Sequence, residues 1–155
     1  MQHCQIDKKK LIIGVIGGSQ CPPKIEKTAY TTGREVAQRG HILICGGMSG
    51  VMASACRGAK SAGGITIGIL PGKDKSEANP SVDIPIVTAM SHARNAIIVR
   101  TADALIAIGG KYGTLSEIAL AKVINKSVFG IETWDIEGVT KVQSAKEALD
   151  MIEKL

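Results

Sequence analysis

This sequence has few aromatic residues, no long apolar run and no paired cysteine motif. Aromatic residues make up only 3% of the chain, and because single-stranded nucleic acids stack on aromatic side chains, this scarcity argues against nucleic-acid binding. No apolar run approaches the ~20 residues of a membrane-spanning helix, and no small-residue cleavage site follows the first run, which argues against a secretory signal. The cysteines Cys4, Cys21, Cys45 and Cys56 show no C-x-x-C pair and no metal-ligand spacing. We therefore expect a cytoplasmic protein with reduced thiols, no membrane partner and no metal.

Glycine and small apolar residues are abundant instead. The 155 residues include 18 glycines, and 45% of the chain is hydrophobic against 21% charged, a balance that excludes disorder as the main state. The length suits one domain, which we expect to cover residues 1–155 with residues 1–10 as a flexible tail. The net charge of +5 fits a small anionic ligand as well as a polyanion, so the charge alone does not identify a partner.

Short apolar runs alternate with stretches of helical spacing along the whole chain. The runs are apolar throughout rather than alternating, which is typical of strands buried on both faces of a sheet. Strands that alternate with helices predict parallel βαβ units. We therefore expect an α/β fold, a single-domain Rossmann-like open parallel sheet with helices on both faces. The predicted strands are Leu11–Ile16, Ile42–Cys45, Ile65–Leu70, Ile84–Val87, Ala104–Ile108 and Ser127–Ile131.

Two further segments can be assigned from local patterns. Ser144 and Glu147 have the spacing of a capping box, which predicts that a final helix begins at Ser144. The segment Pro71–Asp83 is polar and contains two prolines, so we expect a loop. A loop of this length is often a lid or a partner contact, although a plain mobile excursion fits the sequence equally well.

Glycine turns follow several of the predicted strands. In an open parallel sheet, ligands bind beyond the carboxyl ends of the strands. Glycine lets backbone N–H groups approach an anion closely, and the N-termini of the following helices carry positive partial charge. These turns predict a site for a phosphate-bearing ligand. The candidate binding residues are Gly17, Gly18, Ser19, Gly46, Gly47, Gly50, Met90, Gly109, Gly110, Lys111, Tyr112, Gly113 and Thr114.

The common nucleotide fingerprints are absent. The glycines around the first strand do not form G-x-G-x-x-G, and the second strand ends in Cys45-Gly46 without an acidic residue for a ribose. The segment Pro71–Asp74 resembles the end of a Walker A motif, but Ile67 stands at the position of its first glycine and Asp74 replaces Ser or Thr. These differences argue against a dinucleotide dehydrogenase and exclude a P-loop NTPase.

Two charged side chains are candidates for chemistry. Glu117 follows Thr114 with capping-box spacing, so it could cap its helix; alternatively, the helix N-terminus could keep it ionised at the ligand edge. Arg94 stands early in a largely apolar helix, where it could form a surface ion pair or bind phosphate through its forked guanidinium. His92 is more typical of a helix cap or a surface residue than of a catalytic base.

Three motifs, in this order, resemble a known family. GGMSGVM (Gly46–Met52), SHARNAIIV (Ser91–Val99) and ADALIAIGGKYGTLSEIALA (Ala102–Ala121) are similar to the LONELY GUY and DprA-like (SLOG) group of Rossmann proteins, once classed as lysine decarboxylases. The group includes phosphoribohydrolases that release bases from nucleoside monophosphates and carrier proteins for the molybdenum cofactor. The resemblance extends from Ile12 to about Ile131 and is closest to the carrier-like branch.

The resemblance implies roles for several residues. Arg94 and Glu117 match the catalytic pair of the phosphoribohydrolases, whereas Asn95 stands where those enzymes have lysine, and Lys111 replaces a glycine of the carrier-like branch. Two functions follow as expectations. One is hydrolysis of a nucleoside 5′-monophosphate, AMP-like, to free base and ribose 5-phosphate, with no cofactor required. The other is non-catalytic binding of a nucleotide or the molybdenum cofactor. The family also implies a homodimer or homotetramer.

Overall fold

The expected α/β architecture is confirmed. A computed structural model of the protein describes residues 8–155; residues 1–7, which belong to the predicted tail, lie outside the described residues. Seven strands form one parallel sheet in the order β4-β3-β2-β1-β5-β6-β7. Helices cover both faces, and each face has its own apolar core. Among the described residues, no helix is long and apolar enough to span a membrane.

The six predicted strands agree with the structure to within one residue at either end. The strands are β1 Ile12–Gly17, β2 Ile42–Cys45, β3 Thr66–Leu70, β4 Ile84–Val87, β5 Ala104–Ile108, β6 Val128–Ile131 and β7 Val139–Lys141. The helices are α1 Pro23–Gln38, α2 Val51–Ser61, α3 Asn95–Thr101, α4 Tyr112–Val123 and α5 Ala145–Ile152, and a short 3-10 helix, Ser91–Arg94, precedes α3.

The two edges of the sheet differ from expectation. Strand β7 was not predicted, because its three residues include only one large apolar side chain, Val139, which pairs with Val128 of β6. Strand β4 was predicted to be buried on both faces and is not: Ile84 and Ile86 are 47% and 42% exposed. The reason is its position, since β4 is an edge strand and helices α3 and α4 pack over the middle of the sheet.

Helices α1 and α2 approach each other closely enough for backbone contact. A Cβ atom on Gly33 would lie 1.8 Å from the carbonyl oxygen of Ala55, and one on Gly58 would lie 1.9 Å from that of Tyr30. Only glycine fits at such a distance. This contact fixes the position of α2, whose N-terminus borders the cleft described below.

The buried cysteines are free thiols, as expected. Cys45 and Cys56 are fully buried, with their Sγ atoms 3.4 Å apart, and Cys21 is a free thiol at intermediate depth. Cys4 lies outside the described residues.

The cap of α5 gives the first testable prediction. Ser144 Oγ accepts a hydrogen bond from the backbone N–H of Glu147 (3.2 Å), and the Glu147 carboxylate accepts one from Gln143 N–H rather than from Ser144. We expect Ser144→Ala to lower the free energy of unfolding by about 1 kcal/mol, because one helix N–H loses its acceptor. Urea denaturation measures this change. Ser61→Ala, at an exposed helix C-terminus, is the control, because the Ser61 hydroxyl donates to Gly58 O (2.6 Å) and serves no helix N–H as acceptor. Equal effects of the two substitutions would contradict the prediction.

Candidate functional site

A cleft of about 730 Å³ opens at the carboxyl edge of the sheet. It lies where the strand order reverses, with β2 on one side of β1 and β5 on the other, which is the usual ligand position in open α/β sheets. Of the predicted site residues, eight line it: Gly17, Gly18, Ser19, Arg94, Lys111, Gly113, Thr114 and Glu117.

The remaining predicted residues are not among those that line the cleft, and the sequence analysis passed over others that do. The predicted residues outside the lining are Gly46, Gly47, Gly50, Met90, Gly109, Gly110 and Tyr112; the lining residues that were not proposed for binding are Gln20, Met48, Met52, Pro71, His92 and Asn95. Ser49, whose place in a glycine turn predicts a bond to phosphate or a helix cap, also lines the cleft. Met48 and Met52 stand in the GGMSGVM motif itself, but Met48 lies in the loop before α2 and Met52 in its first turn, so no helical periodicity marked them as neighbours.

The N-terminus of α4 faces this cleft with its N–H groups unpaired. The helix begins at Tyr112, and Leu115 N–H is the first to bond back, to Lys111 O (3.0 Å). Across residues 8–155, no protein acceptor is found for the N–H groups of Tyr112, Gly113 and Thr114. These N–H groups are the donors that anions meet at helix N-termini.

Thr114 adds an unpaired hydroxyl to the same place. Its side chain is 2% exposed, and its Oγ1 has no hydrogen-bond partner in the described part of the chain. A buried hydroxyl without a partner is costly, so its presence marks a position for a ligand acceptor. The capping box considered for Thr114 and Glu117 is not formed, because Thr114 lies inside the helix and no side chain caps α4.

The absence of a side chain at Gly110 leaves room for this hydroxyl. Its φ is +96°, in the left-handed region, and a Cβ atom on it would lie 2.2 Å from Thr114 Oγ1. Both the backbone conformation and the close approach require glycine. Gly110 therefore acts on the site through its backbone although it does not line the cleft.

Arg94 is buried beneath the cleft, so the expectation of a surface ion pair is wrong. The side chain is 8% exposed and donates to Ile69 O (2.8 Å), Gly46 O (3.4 Å) and Asn95 Oδ1. Within the described chain, no carboxylate lies within the 4.0 Å of an ion pair. A guanidinium has five N–H groups and keeps its charge in proteins, so two donors remain for a ligand.

A chain of hydrogen bonds connects Arg94 to α4. Asn95, which receives a bond from Arg94, donates through Nδ2 to Ser116 Oγ (3.2 Å), and Ser116 donates to Gly113 O (2.6 Å). Asn95 thus connects Arg94, through Ser116, to the first turn of α4.

Glu117 is the one carboxyl among the lining residues. It is 7% exposed, and no hydrogen bond joins it to any other described residue. Burial raises its pKa from 4.5 to about 8, against the opposing effect of the Arg94 charge. The expectation of a carboxylate kept ionised by the helix is therefore wrong, because desolvation outweighs the attraction of positive groups.

The charges of the cleft consequently have one sign at neutral pH. Arg94 and Lys111 are cationic, while Glu117 keeps its proton. The apolar wall, as we call it, consists of the methionine and proline side chains that line the cleft, Met48, Met52 and Pro71. In the described residues, no group of three or more His, Cys, Asp or Glu side chains could hold a metal ion. The arrangement fits a ligand with an anionic end and a flat apolar part.

Comparison with protein families and curated sequences gives clear matches. The SLOG cluster4 family model matches residues 10–154. An uncharacterised protein of Archaeoglobus fulgidus is 46% identical over 143 residues, which cover 92% of this chain and 94% of that one. The rice enzyme cytokinin riboside 5′-monophosphate phosphoribohydrolase LOG is 34% identical over 110 residues. That match covers 68% of this chain but only 44% of the enzyme's length.

Solved structures match over almost the whole chain. The molybdenum cofactor binding protein of the phototrophic bacterium Rippkaea orientalis is 39% identical, with a TM-score of 0.89 over 94% of this chain and 97% of its own. The molybdenum cofactor carrier protein of Chlamydomonas reinhardtii is 36% identical, with a TM-score of 0.83 over 95% of this chain and 98% of its own.

Proposed function

The chain belongs to the SLOG cluster4 family, and on this premise we propose that its cleft binds the phosphate end of a small heteroaromatic ligand. The ligand is the molybdenum cofactor or a nucleoside 5′-monophosphate. The observation that carries the proposal is the unpaired, buried hydroxyl of Thr114 at the unpaired N-terminus of α4. A phosphate supplies the acceptors that these donors lack.

The apolar lining residues suit the rest of the ligand. With the phosphate at α4, Arg94 and Lys111 balance its charge, and the ring lies against Met48, Met52 and Pro71. Methionine side chains adapt well to flat aromatic groups because they are flexible and polarisable. The same cradle suits a pterin phosphate and a nucleotide.

Binding without catalysis is the function that the geometry supports best. Hydrolysis of a glycosidic bond usually employs two carboxyl groups, and the residues that line this cleft include only Glu117. Similarity over the whole chain to proteins that bind or carry the molybdenum cofactor supports the same reading. In this role the cofactor is cargo, held and released unchanged.

A phosphoribohydrolase is the second candidate, favoured by the raised pKa of Glu117. Because this pKa is about 8, the carboxyl is protonated at neutral pH and can donate a proton to a departing base. Water would then attack C1′, giving free base and ribose 5-phosphate. The partial similarity to the rice enzyme supports this alternative.

Exposed apolar side chains support the expected self-association. Ile84 and Ile86 on the edge strand β4, and Ile65 just before the neighbouring strand β3, are each more than 40% exposed. Burial of such a patch between copies removes it from water. A homodimer or homotetramer therefore stays part of the proposal.

One experiment separates the two functions. The protein is incubated with AMP and other nucleoside 5′-monophosphates, and separately with molybdenum cofactor released from a molybdenum enzyme. Chromatography then follows free base and ribose 5-phosphate, and molybdenum content and pterin fluorescence measure cofactor retained by the protein. Retention without base release establishes the carrier, and base release establishes the hydrolase. If the protein neither retains the cofactor nor releases base, the proposal is overturned.

Replacing Thr114 by valine tests the phosphate position directly. Valine has the same shape but lacks the hydroxyl, so we expect the free protein to become more stable by about 1 kcal/mol while AMP affinity falls about 5-fold to 10-fold. Urea denaturation and titration calorimetry measure the two effects.

Thr32→Val is the matched control for this pair of measurements. Thr32 is also fully buried, but its hydroxyl donates to Thr28 O at 2.8 Å. We expect its replacement to destabilise the protein and leave AMP affinity unchanged. If Thr114→Val destabilises the protein as Thr32→Val does, the Thr114 hydroxyl has a hydrogen-bond partner in the free protein and is not a free donor for a ligand.

A further inference from the structure

Asn79 joins two loops that border the cleft. We call Pro71–Asp83 the strap and Gly46–Gly50 the glycine loop. Asn79 Nδ2 donates to Met48 O (2.9 Å) and Gly47 O (3.2 Å), and the backbone N–H of Asn79 donates to Gly47 O (2.8 Å). These three bonds run from the strap to the glycine loop.

The orientation of the Asn79 amide is set from its other side. Its Oδ1 accepts a hydrogen bond from Ser81 N–H (3.0 Å), and Val82 N–H donates to Asn79 O (3.1 Å). The oxygen therefore faces the strap and the NH₂ group faces the glycine loop. Among side chains of this size, only asparagine offers both an acceptor and two donors.

The glycine loop depends on such partners. Gly47 and Gly50 have φ values of +75° and +64°. The carbonyl groups of Gly46, Gly47 and Met48 accept hydrogen bonds from Arg94 or Asn79. Its Met48 and Ser49 line the cleft, and its Gly46 carbonyl accepts from Arg94. A change in this loop would therefore move both the apolar wall and an anchor of the arginine.

The start of the strap forms hydrogen bonds to the turn at residues 89–91, which precedes Arg94 in the chain. Pro71 O accepts from Ser91 N–H (2.9 Å), and Gly72 O accepts from Ala89 N–H (2.8 Å). Ala89 and Ser91 have φ values of +54° and +51°, a left-handed conformation that is costly for residues with side chains and persists only where neighbours impose it. The strap thus contacts both sides of the binding site.

From this bonding we propose that Asn79 is a positioning residue, which holds the glycine loop in the conformation that ligand binding requires. The inference rests on the proposed function, because it assumes that the cleft binds a phosphorylated ligand. It assigns the strap a role other than those considered from the sequence. In this role the strap connects the glycine loop to the turn before Arg94. It is neither a lid over the ligand nor a mobile loop without contacts.

Asn79→Asp tests this inference with little change of shape. An aspartate still accepts from Ser81 N–H, but it cannot donate to Gly47 O and Met48 O and would repel them. We expect AMP affinity to fall about tenfold by titration calorimetry, and the thermal midpoint to fall by a few degrees, because Met48 O loses its donor. Asn125→Asp is the matched control, since it makes the same replacement at an exposed position after α4 that does not line the cleft.

Amide hydrogen exchange without ligand provides a second measurement. We expect faster exchange at Gly47 and Val51 in Asn79→Asp, because their N–H groups bond within and beside the glycine loop, to Cys45 Sγ and Gly18 O. Exchange at Ile106, in the central strand β5, should not change.

The two measurements separate failure of the inference from failure of the proposed function. Unchanged AMP affinity beside wild-type binding overturns the inference, and so does unchanged exchange at Gly47 and Val51. A loss of stability without a loss of affinity also overturns it, since that is the effect of a merely structural residue. If the wild type binds neither AMP nor the molybdenum cofactor, the proposed function fails, and exchange alone decides whether Asn79 holds the loop.

Discussion

Replacing Glu117 by glutamine is expected to stabilise the free protein at neutral pH, by about 3 kcal/mol at pH 7. Its pKa is about 8 in the folded protein and 4.5 as an ordinary glutamate. At pH 7 the unfolded chain has lost this proton while the folded chain keeps it. Folding therefore takes up a proton, and wild-type stability falls as pH rises from 4.5 to about 8. Glutamine is neutral throughout and removes this dependence.

Urea denaturation at pH 4, 7 and 8.5 measures the effect of Glu117→Gln. The gain in stability should be near zero at the lowest pH and should grow up to the folded pKa. Glu137→Gln is the control, since Glu137 is an exposed carboxyl outside the ion pairs of the described chain. A gain that does not change with pH would show that Glu117 is ionised in the folded protein.

The same substitution separates the two candidate functions. In a carrier, the wild type should lose about tenfold in AMP affinity between pH 7 and pH 9, as Glu117 ionises beside the phosphate, and Glu117→Gln should bind equally well at both values. In a hydrolase, Glu117→Gln should abolish base release at every pH, because the variant has no proton to give.

Replacing Arg94 by alanine is expected to weaken AMP binding about a hundredfold. The side chain brings an unpaired positive charge to the floor of the cleft and keeps two N–H groups beyond those given to Ile69 O, Gly46 O and Asn95 Oδ1. Its removal takes away the charge and leaves buried carbonyls without donors. We therefore expect lower stability as well as lower affinity.

Arg94→Lys keeps this prediction testable if the alanine variant folds poorly. Lysine retains the charge but not the planar fork, so its AMP affinity should fall about tenfold. Arg100→Ala removes an exposed arginine from the other end of the same helical segment and should leave affinity unchanged. Circular dichroism checks that the three variants fold, and titration calorimetry measures their AMP affinity. Wild-type affinity in Arg94→Lys would mean that the planar guanidinium does not contact the ligand.

Local patterns were enough to predict most of the fold. Continuous apolar runs predict strands buried on both faces, and their alternation with helical spacing predicts a parallel sheet with helices on both sides, which the structure confirms. These features are readable because they depend on residues that are near each other in the chain. The exposure of β4 and the existence of the short β7 could not be predicted in this way, because whether a strand lies at an edge depends on its neighbours in space.

The candidate site likewise has features that local sequence predicts and features that depend on tertiary contacts. By itself, the sequence determined where the glycine turns, Arg94 and Glu117 lie relative to the strands, and hence that they meet at one edge of the sheet. Only the tertiary structure decided that burial raises the pKa of Glu117 and that Arg94 has no carboxylate partner within residues 8–155, since both depend on packing by distant segments. It also decided that the Thr114 hydroxyl has no partner in the described part of the chain and that Asn79 donates hydrogen bonds to the glycine loop. Hydrogen bonds and desolvation between residues far apart in the chain have no periodic signal in a single sequence.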